Sequence, residues 1–176
     1  MITSFFIALN IIIFIYVNYF YFDSLSLDII LGLNLFFLQG YYWQILSSIF
    51  MHGNWTHLIL NMIVLFQFGS ILEKYLKSFK FALLYLAGGI LCSLLSVFYI
   101  YLSFDGGFVN VVGASGAICV LMGFYAYLDK SATKGLIIAI LLMSFVPIFM
   151  GINVAWYAHI FGFICGYILA KFGIIK

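Results

Sequence analysis

Charge is confined to a few short places in this chain. Residues 1–22, 29–72, 81–104, 106–128 and 135–170 contain no Asp, Glu, Lys or Arg at all. The composition is 67% hydrophobic and 7% charged, against roughly a quarter charged in an ordinary soluble domain, so a water-soluble fold is excluded. The polar surface needed to keep so many Phe, Leu and Ile residues in water is missing, and lipid must replace water as the solvent. The expected fold class is therefore an all-α integral membrane protein.

Apolar runs bounded by charge or glycine clusters predict a bundle of six transmembrane helices, near residues 3–22, 56–73, 80–103, 112–128, 135–150 and 154–172. The first residues lack the basic region and small-residue cleavage site of a secretory signal, so 3–22 reads as a retained span. Every lysine (Lys74, Lys77, Lys80, Lys130, Lys134, Lys171 and Lys176) falls after the second predicted helix, after the fourth, or at the C-terminal end. With six spans these places share one side, which the positive-inside rule makes cytoplasmic. Both termini are then expected inside, with Asp23, Asp28 and Asp105 on the outer face. The connection 23–55 is too long and too apolar for a solvated loop. It is expected to form short helical pieces in the outer interface, where Tyr41, Tyr42 and Trp43 are well placed. No internal repeat or linker divides the chain, so 1–176 reads as a single domain.

Ionisable and polar groups inside spans are costly unless paired or functional, so each one asks for an explanation. One cluster, His52-Gly-Asn-Trp-Thr-His57-Leu-Ile-Leu-Asn61, enters the second helix and sets His57 and Asn61 four apart on one face. Another, Gly113-Ala114-Ser115-Gly116, opens the fourth helix, where free N–H groups and the positive dipole end favour an anion. The third lies in the last helix, where His159, Gly162 and Gly166 fall at i, i+3 and i+7, and the Gly-x-x-x-Gly pair permits tight helix contact. All three helices start on the outer side. If the last stripe faces the fourth helix, His159 comes beside Ser115.

Each cluster alone has a plainer reading. Small residues around a serine often serve packing, and a single intramembrane histidine often serves as a bundle hydrogen-bonding group. A metal site built on His52, His57 and His159 lacks a carboxylate or cysteine at ligand spacing, so no metal is expected. Cys92, Cys119 and Cys165 lie in apolar segments without a pairing motif and read as packing residues. Asn10, Asn18 and Gln67 read as helix–helix hydrogen-bonding groups or interface residues, and Glu73 and Asp129 as ion partners of nearby lysines. A net charge of +2 is too small and too dispersed to suggest nucleic acid.

Taken together, His52, His57 and Asn61, the Gly113-x-Ser115-Gly116 motif, and the Ala158-His159-x-x-Gly162-x-x-x-Gly166 motif resemble the rhomboid family. The resemblance covers the whole chain, including a glutamate at the inner end of the second helix, here Glu73. It implies a serine endopeptidase in which Ser115 is the nucleophile and His159 its base, cutting near the outer ends of substrate transmembrane helices. It also implies supporting roles for Gly113, Gly116, Gly162 and Gly166. His57 and Asn61, with the Ser115 backbone N–H, read as an oxyanion hole, and His52 as a supporting or loop residue. No acid is placed to complete a triad, so a dyad is expected, with no cofactor. The expected partners are transmembrane segments of single-pass membrane proteins and the lipid bilayer. The expected location is a bacterial cytoplasmic (inner) membrane, with the site open to the outer face. A non-catalytic relative that binds transmembrane helices is the alternative. Two positions depart from the family pattern: Gln44 follows Trp43 where many relatives have arginine, and Cys119 stands where many have a tyrosine.

Overall fold

The computed structural model describes residues 1–21, 24–103 and 107–175. The expectations placed on Phe22, Asp23, Asp105 and Lys176 lie outside these residues. Among the described residues, seven α-helices carry the fold: α1 (Ile2–Ile15), α2 (Ser24–Leu31), α3 (Gln44–Ser47), α4 (Trp55–Leu102), α5 (Ser115–Leu128), α6 (Thr133–Phe149) and α7 (Trp156–Lys171). A π-helical turn, Tyr16–Phe20, extends α1, and short 3-10 turns at Leu35–Gln39 and Ser48–Phe50 flank α3. Among the described residues there is no β-strand, only an isolated antiparallel bridge between Leu33 and Val111.

The two helices expected near 56–73 and 80–103 form one 48-residue element, α4, with non-helical backbone at Lys77 (φ 68°, ψ 160°). Lys77 divides α4 into two arms. Glu73, one turn before the break, receives the Ser78 hydroxyl at 2.6 Å, which ties the two sides of the break together. Its carboxylate also accepts the backbone N–H groups of Ile2 (2.7 Å) and Thr3 (2.9 Å) and the Thr3 hydroxyl (2.7 Å). Glu73 thus serves the orphan donors at the start of α1, where a negative charge also meets the positive end of the helix dipole. This corrects the expectation of a lysine partner. Asp129 likewise accepts from Ser131 and Ala132 and lies at the end of α5; these hydrogen bonds, the Ser131 hydroxyl first, lower its pKa. Asn18 returns its amide to the Phe14 carbonyl on its own helix, and Asn10 does the same to Phe6, while the Asn10 side chain also interacts with the Tyr85 hydroxyl on the second arm of α4.

α1 runs antiparallel to the first arm of α4. Thr3 packs at Gly69, and at the other end Trp55 donates its indole N–H to the Tyr19 hydroxyl at 2.8 Å. Phe6 stacks on Tyr85 of the second arm, with ring centroids 4.6 Å apart. The second arm passes α5 where Gly88 meets Val120 and Gly89 meets Ala117, and it passes the start of α7 where Tyr99 contacts Tyr157. α5 fills the centre: Ala117 to Phe124 are all buried.

α5 and α7 run parallel in direct backbone contact. A Cβ at Gly162 would meet the Gly116 carbonyl, one at Gly166 the Val120 carbonyl, and one at Gly123 the Phe163 carbonyl. α6 is the peripheral helix and buries only Leu136, Ile140 and Ser144, one stripe at i, i+4 and i+8. Outside the core, Phe5, Phe66, Phe79, Phe98, Leu142 and Phe149 are all exposed, an apolar exterior that water does not tolerate over such an area.

Gly166→Ala is expected to lower the thermal stability of the detergent-solubilised protein by at least the roughly 1–3 kcal/mol of an overpacked core, since backbone and not a flexible side chain blocks the new methyl. Gly135→Ala on α6, where no atom lies within 4 Å of the added Cβ, should be neutral or stabilising by up to about 1 kcal/mol. Equal melting temperatures for the two variants would refute the close α5–α7 contact.

Candidate active site

The fourth predicted helix begins three residues late, at Ser115 instead of residue 112, and local backbone chemistry explains the delay. Val111 is held extended by two hydrogen bonds with Leu33, at 2.8 and 2.9 Å. Gly113 has φ 124°, a left-handed conformation that a helix cannot contain and that glycine adopts without strain. A side chain at 113 would also strike the His57 ring, 2.7 Å from the position of its Cβ. Two hydrogen bonds pin this turn from the first connection: the Gly113 N–H to the Ser48 carbonyl at 2.9 Å, and the Ala114 N–H to His52 Nε2 at 3.5 Å.

The start of α5 has no side-chain cap, which leaves its first-turn N–H groups for another acceptor. Ser115 is the first residue of that turn. Its Oγ lies 3.0 Å from Nε2 of His159, which is 4% exposed on α7. The other ring nitrogen, Nδ1, lies 3.1 Å from the Ser144 hydroxyl of α6. Sequence reasoning missed Ser144. The available signal was the one applied to Asn10 and Asn18, a hydroxyl inside an uncharged run, and its spacing from Leu136 and Ile140 put it on the buried stripe.

His57 and Asn61, one turn apart on α4, both reach Gly113. The Asn61 Nδ2 group is buried and donates to no side chain or backbone group among the described residues. A buried amide without an acceptor carries a penalty of about 1–3 kcal/mol, so a donor left open beside an uncapped helix start suits an oxygen that binds there. His52 is 2% exposed, and its ring meets that of His57 edge-on at 5.1 Å. Burial, helped by the neighbouring His57, pushes the His52 pKa down to about 3, so it stays a neutral acceptor for Ala114 N–H.

Of the residues expected to form the site, His52, His57, Asn61, Gly113, Ser115, Gly116 and His159 gather at one end of α4, α5 and α7. Gly162 and Gly166 lie further along α7 and set its contact with α5. Gly116 also admits Cys92, whose thiol donates to the Ala158 carbonyl at 3.1 Å. A cavity of about 20 Å³, enough for a single water molecule, lies beside Ser115 and is lined in part by Ser48, Ser93, Ser96 and Gly113.

Gln44 fills its departure from the family pattern with polar contacts of its own. Fully buried, it accepts the Asn34 N–H at 3.3 Å and donates to the carbonyls of Ile29 (3.1 Å) and Ile30 (3.3 Å). Asn34 in turn donates to Asn110 at 2.9 Å, and Asn110 donates to the Asp28 carbonyl at 2.9 Å. The segment before Ser115 is thereby stitched to the first connection by Asn34 and Asn110, which sequence reasoning did not single out, and by Gln44, which it named only as a departure. Cys119 is fully buried, against Gly162.

A family model of the Rhomboid domain matches residues 39–175 of this chain. YdcA of Bacillus subtilis (strain 168), which carries the provisional name of a rhomboid protease, is 31% identical over 150 residues, 81% of this chain and 73% of the relative. The protein named Rhomboid protease GluP, also from Bacillus subtilis (strain 168), is 37% identical over 97 residues, 54% of this chain and 18% of its own length. Rhomboid protease AarA of Providencia stuartii is 32% identical over 108 residues, 54% of this chain and 38% of its own length.

Gln44→Ala should leave the buried Asn34 N–H without its acceptor, while the Ile29 and Ile30 carbonyls keep Asn34 and Trp43 as donors, and lower stability by about 1–3 kcal/mol. Hydrogen exchange at the Leu33 and Val111 amides, measured on the same sample, should accelerate with it. Unchanged exchange at both would show that Gln44 does not hold the segment before Ser115.

Proposed function

The chain belongs to the rhomboid family, and from that premise we propose that it is an intramembrane serine endopeptidase that hydrolyses substrate transmembrane segments with a Ser115–His159 dyad. The observation that carries this reading is the 3.0 Å approach of His159 Nε2 to Ser115 Oγ at an uncapped helix start. The whole of 1–176 acts as one unit in it, crossing the membrane six times: α1 with its π-helical turn, the two arms of α4, then α5, α6 and α7. The connection between α1 and α4 lies in the outer interface.

Serine is a weak nucleophile at its own pKa and needs a neighbouring base to take its proton as it attacks the scissile carbonyl. His159 Nε2 takes that proton and later gives it to the leaving amine. The tetrahedral intermediate carries negative charge on the former carbonyl oxygen. The Ser115 N–H, the Asn61 amide and His57 surround the position where that oxygen would form, and a single such donor is worth about 3 kcal/mol. A water in the small cavity beside Ser115 would deacylate the enzyme. The substrate's carbonyls are tied up in its own helix, so a segment with Gly or Pro near the cut unwinds more readily.

Depth follows from helix length. The 14 residues of α5 span about 21 Å, against about 30 Å for the hydrocarbon core. With Asp129 and Lys130 at the inner surface, Ser115 sits about 10 Å below the outer one, within reach of a substrate's membrane segment.

Purified protein is expected to react with a serine-directed fluorophosphonate and to cleave a single-pass test substrate. Ser115→Ala and His159→Ala should abolish cleavage with the fold intact, and Asn61→Ala should lower the rate about 10- to 1000-fold without abolishing it. A folded Ser115→Ala protein that cleaves at the wild-type rate refutes the protease reading. A wild type that binds transmembrane peptides but neither labels nor cleaves is a non-catalytic relative.

The lysine distribution orients the chain with both termini in the cytoplasm and the Ser115 end facing outward. In a background without native cysteines, Ser115→Cys should react with a charged thiol reagent added from outside, and Lys74→Cys should not. The reverse pattern would mean that the protein stands the other way up and cuts its substrates at their cytoplasmic ends.

A further inference from the structure

We propose that Ser144 positions the base: its hydroxyl oxygen accepts the Nδ1–H of His159 and holds the imidazole as the tautomer whose Nε2 lone pair faces Ser115. The proposal rests on the reading of Ser115 and His159 as a catalytic pair and adds to it the part that no acid residue supplies.

The argument begins with proton counting. A neutral imidazole has one N–H and one lone pair, and which nitrogen carries the proton is set by the hydrogen bonds offered to each. A base acting on Ser115 needs its lone pair on Nε2, which puts the proton on Nδ1. His159 is 4% exposed, so water is not at hand to accept that proton. The acceptor within range is Ser144 Oγ, at 3.1 Å. Without an acceptor there, the Nδ1–H tautomer would bury an unsatisfied donor, and the Nε2–H tautomer, from which the Ser115 hydroxyl can accept and which is useless as a base, would prevail.

The surroundings of Ser144 point the same way. It is fully buried on α6, and its two companions on the buried stripe, Leu136 and Ile140, are apolar. A serine inside a helix ordinarily turns back to its own i−4 carbonyl, whereas this hydroxyl reaches across to another helix. Cys119, one turn after Ser115 on α5, is fully buried and packs on Gly162. The two ring nitrogens of His159 are met by Ser144 and Ser115. During attack the Ser115 proton moves to Nε2, the ring becomes a cation, and Nδ1–H remains on Ser144. Ser144 takes up no proton and stays a neutral hydroxyl throughout.

The test compares Ser144→Ala, Ser144→Thr and Ser144→Val in protein reconstituted into vesicles, with turnover of a single-pass substrate measured over a range of substrate concentrations. Thr and Val have nearly the same shape, so any packing disturbance is common to both and their difference isolates the hydroxyl. Ala and Val are expected to lower kcat about 10- to 100-fold with KM within about twofold of wild type, and Thr to retain most of kcat. Nitrogen-15 spectra of histidine-labelled protein supply a readout independent of turnover. His159 should show a protonated Nδ1 in the wild type and Ser144→Thr, and a predominantly protonated Nε2 in Ser144→Ala and Ser144→Val. Equal kcat for Thr and Val, a change confined to KM, or a His159 spectrum indifferent to residue 144 would each overturn the proposal. A wild type that neither cleaves nor labels at Ser115 overturns the catalytic pair itself, a different result from an active enzyme that ignores residue 144.

Discussion

Everything at the candidate site depends on two helices touching backbone to backbone. In lipid, apolar side chains gain little by leaving one apolar neighbour for another, so helix association rests on close packing and on small residues that allow it. α5 and α7 meet at Gly116 with Gly162, Val120 with Gly166, and Gly123 with Phe163, contacts in which a single methyl group would collide with a carbonyl. Such contacts have little slack along the axis or around it. Ser115 precedes one of these positions and His159 stands one turn before another, so the 3.0 Å between Ser115 Oγ and His159 Nε2 follows from a rigid register. The proposed base needs no flexible arm to reach the proposed nucleophile.

The two ends of the bundle solve different problems. At the end holding Glu73 the polar groups are tied off: one carboxylate takes two N–H groups of α1 and two hydroxyls, closing the break at Lys77. There too Lys130 donates to the Tyr167 hydroxyl at 2.9 Å and lies 4.1 Å from the Tyr127 ring centre, which links the C-terminal ends of α5 and α7. At the other end, the start of α5 is held by everything except a cap. Ser48, His52 and the Leu33–Val111 bridge fix residues 111–114, and Asn61 and His57 lie against Gly113 beside the uncapped helix start. Pre-organised donors of this kind need no rearrangement when charge develops, which is where their catalytic value lies.

Most of this was legible where one residue type admits few explanations. Ionisable side chains in uncharged runs marked His57 and His159, and glycines beside a serine marked the α5 start. The i, i+3, i+7 stripe of His159, Gly162 and Gly166 marked the face of α7 that meets α5. The break between the arms of α4 was expected near the lysine cluster, although the chain continues as helix up to Lys77 itself. The later start of α5 was not legible, because it depends on Val111 pairing with Leu33, a contact between residues 78 positions apart that no local pattern encodes. The hydrogen-bonding partners of Glu73 were misread for a related reason: lysines were near in sequence, while the donors at the start of α1 were near only in space. Ser144 and the role of Gln44 escaped because serine and glutamine in apolar surroundings have several ordinary uses, and only geometry distinguishes among them.

Among the described residues no acid stands beside His159, and the proposed placement of the site within lipid gives this a physical rationale. A carboxylate there would have to remain ionised to orient and stabilise the imidazolium, and an intramembrane charge costs about 2.5–3.5 kcal/mol even on the lower scales. Left in a dry site before substrate binds, it would pair with the histidine proton early or take a proton itself, and either outcome spoils the base. A hydroxyl avoids this. In the proposed arrangement Ser144 satisfies Nδ1–H in the resting state without introducing charge, and it remains an acceptor when the ring becomes cationic. The stabilisation it gives the cation is weaker than a carboxylate's, since a neutral acceptor contributes a dipole and not a full charge. Such an arrangement would suit a protease whose nucleophile lies beneath the membrane surface: the base would be kept neutral and correctly turned, and most of the transition-state stabilisation would be left to donors around the developing oxyanion.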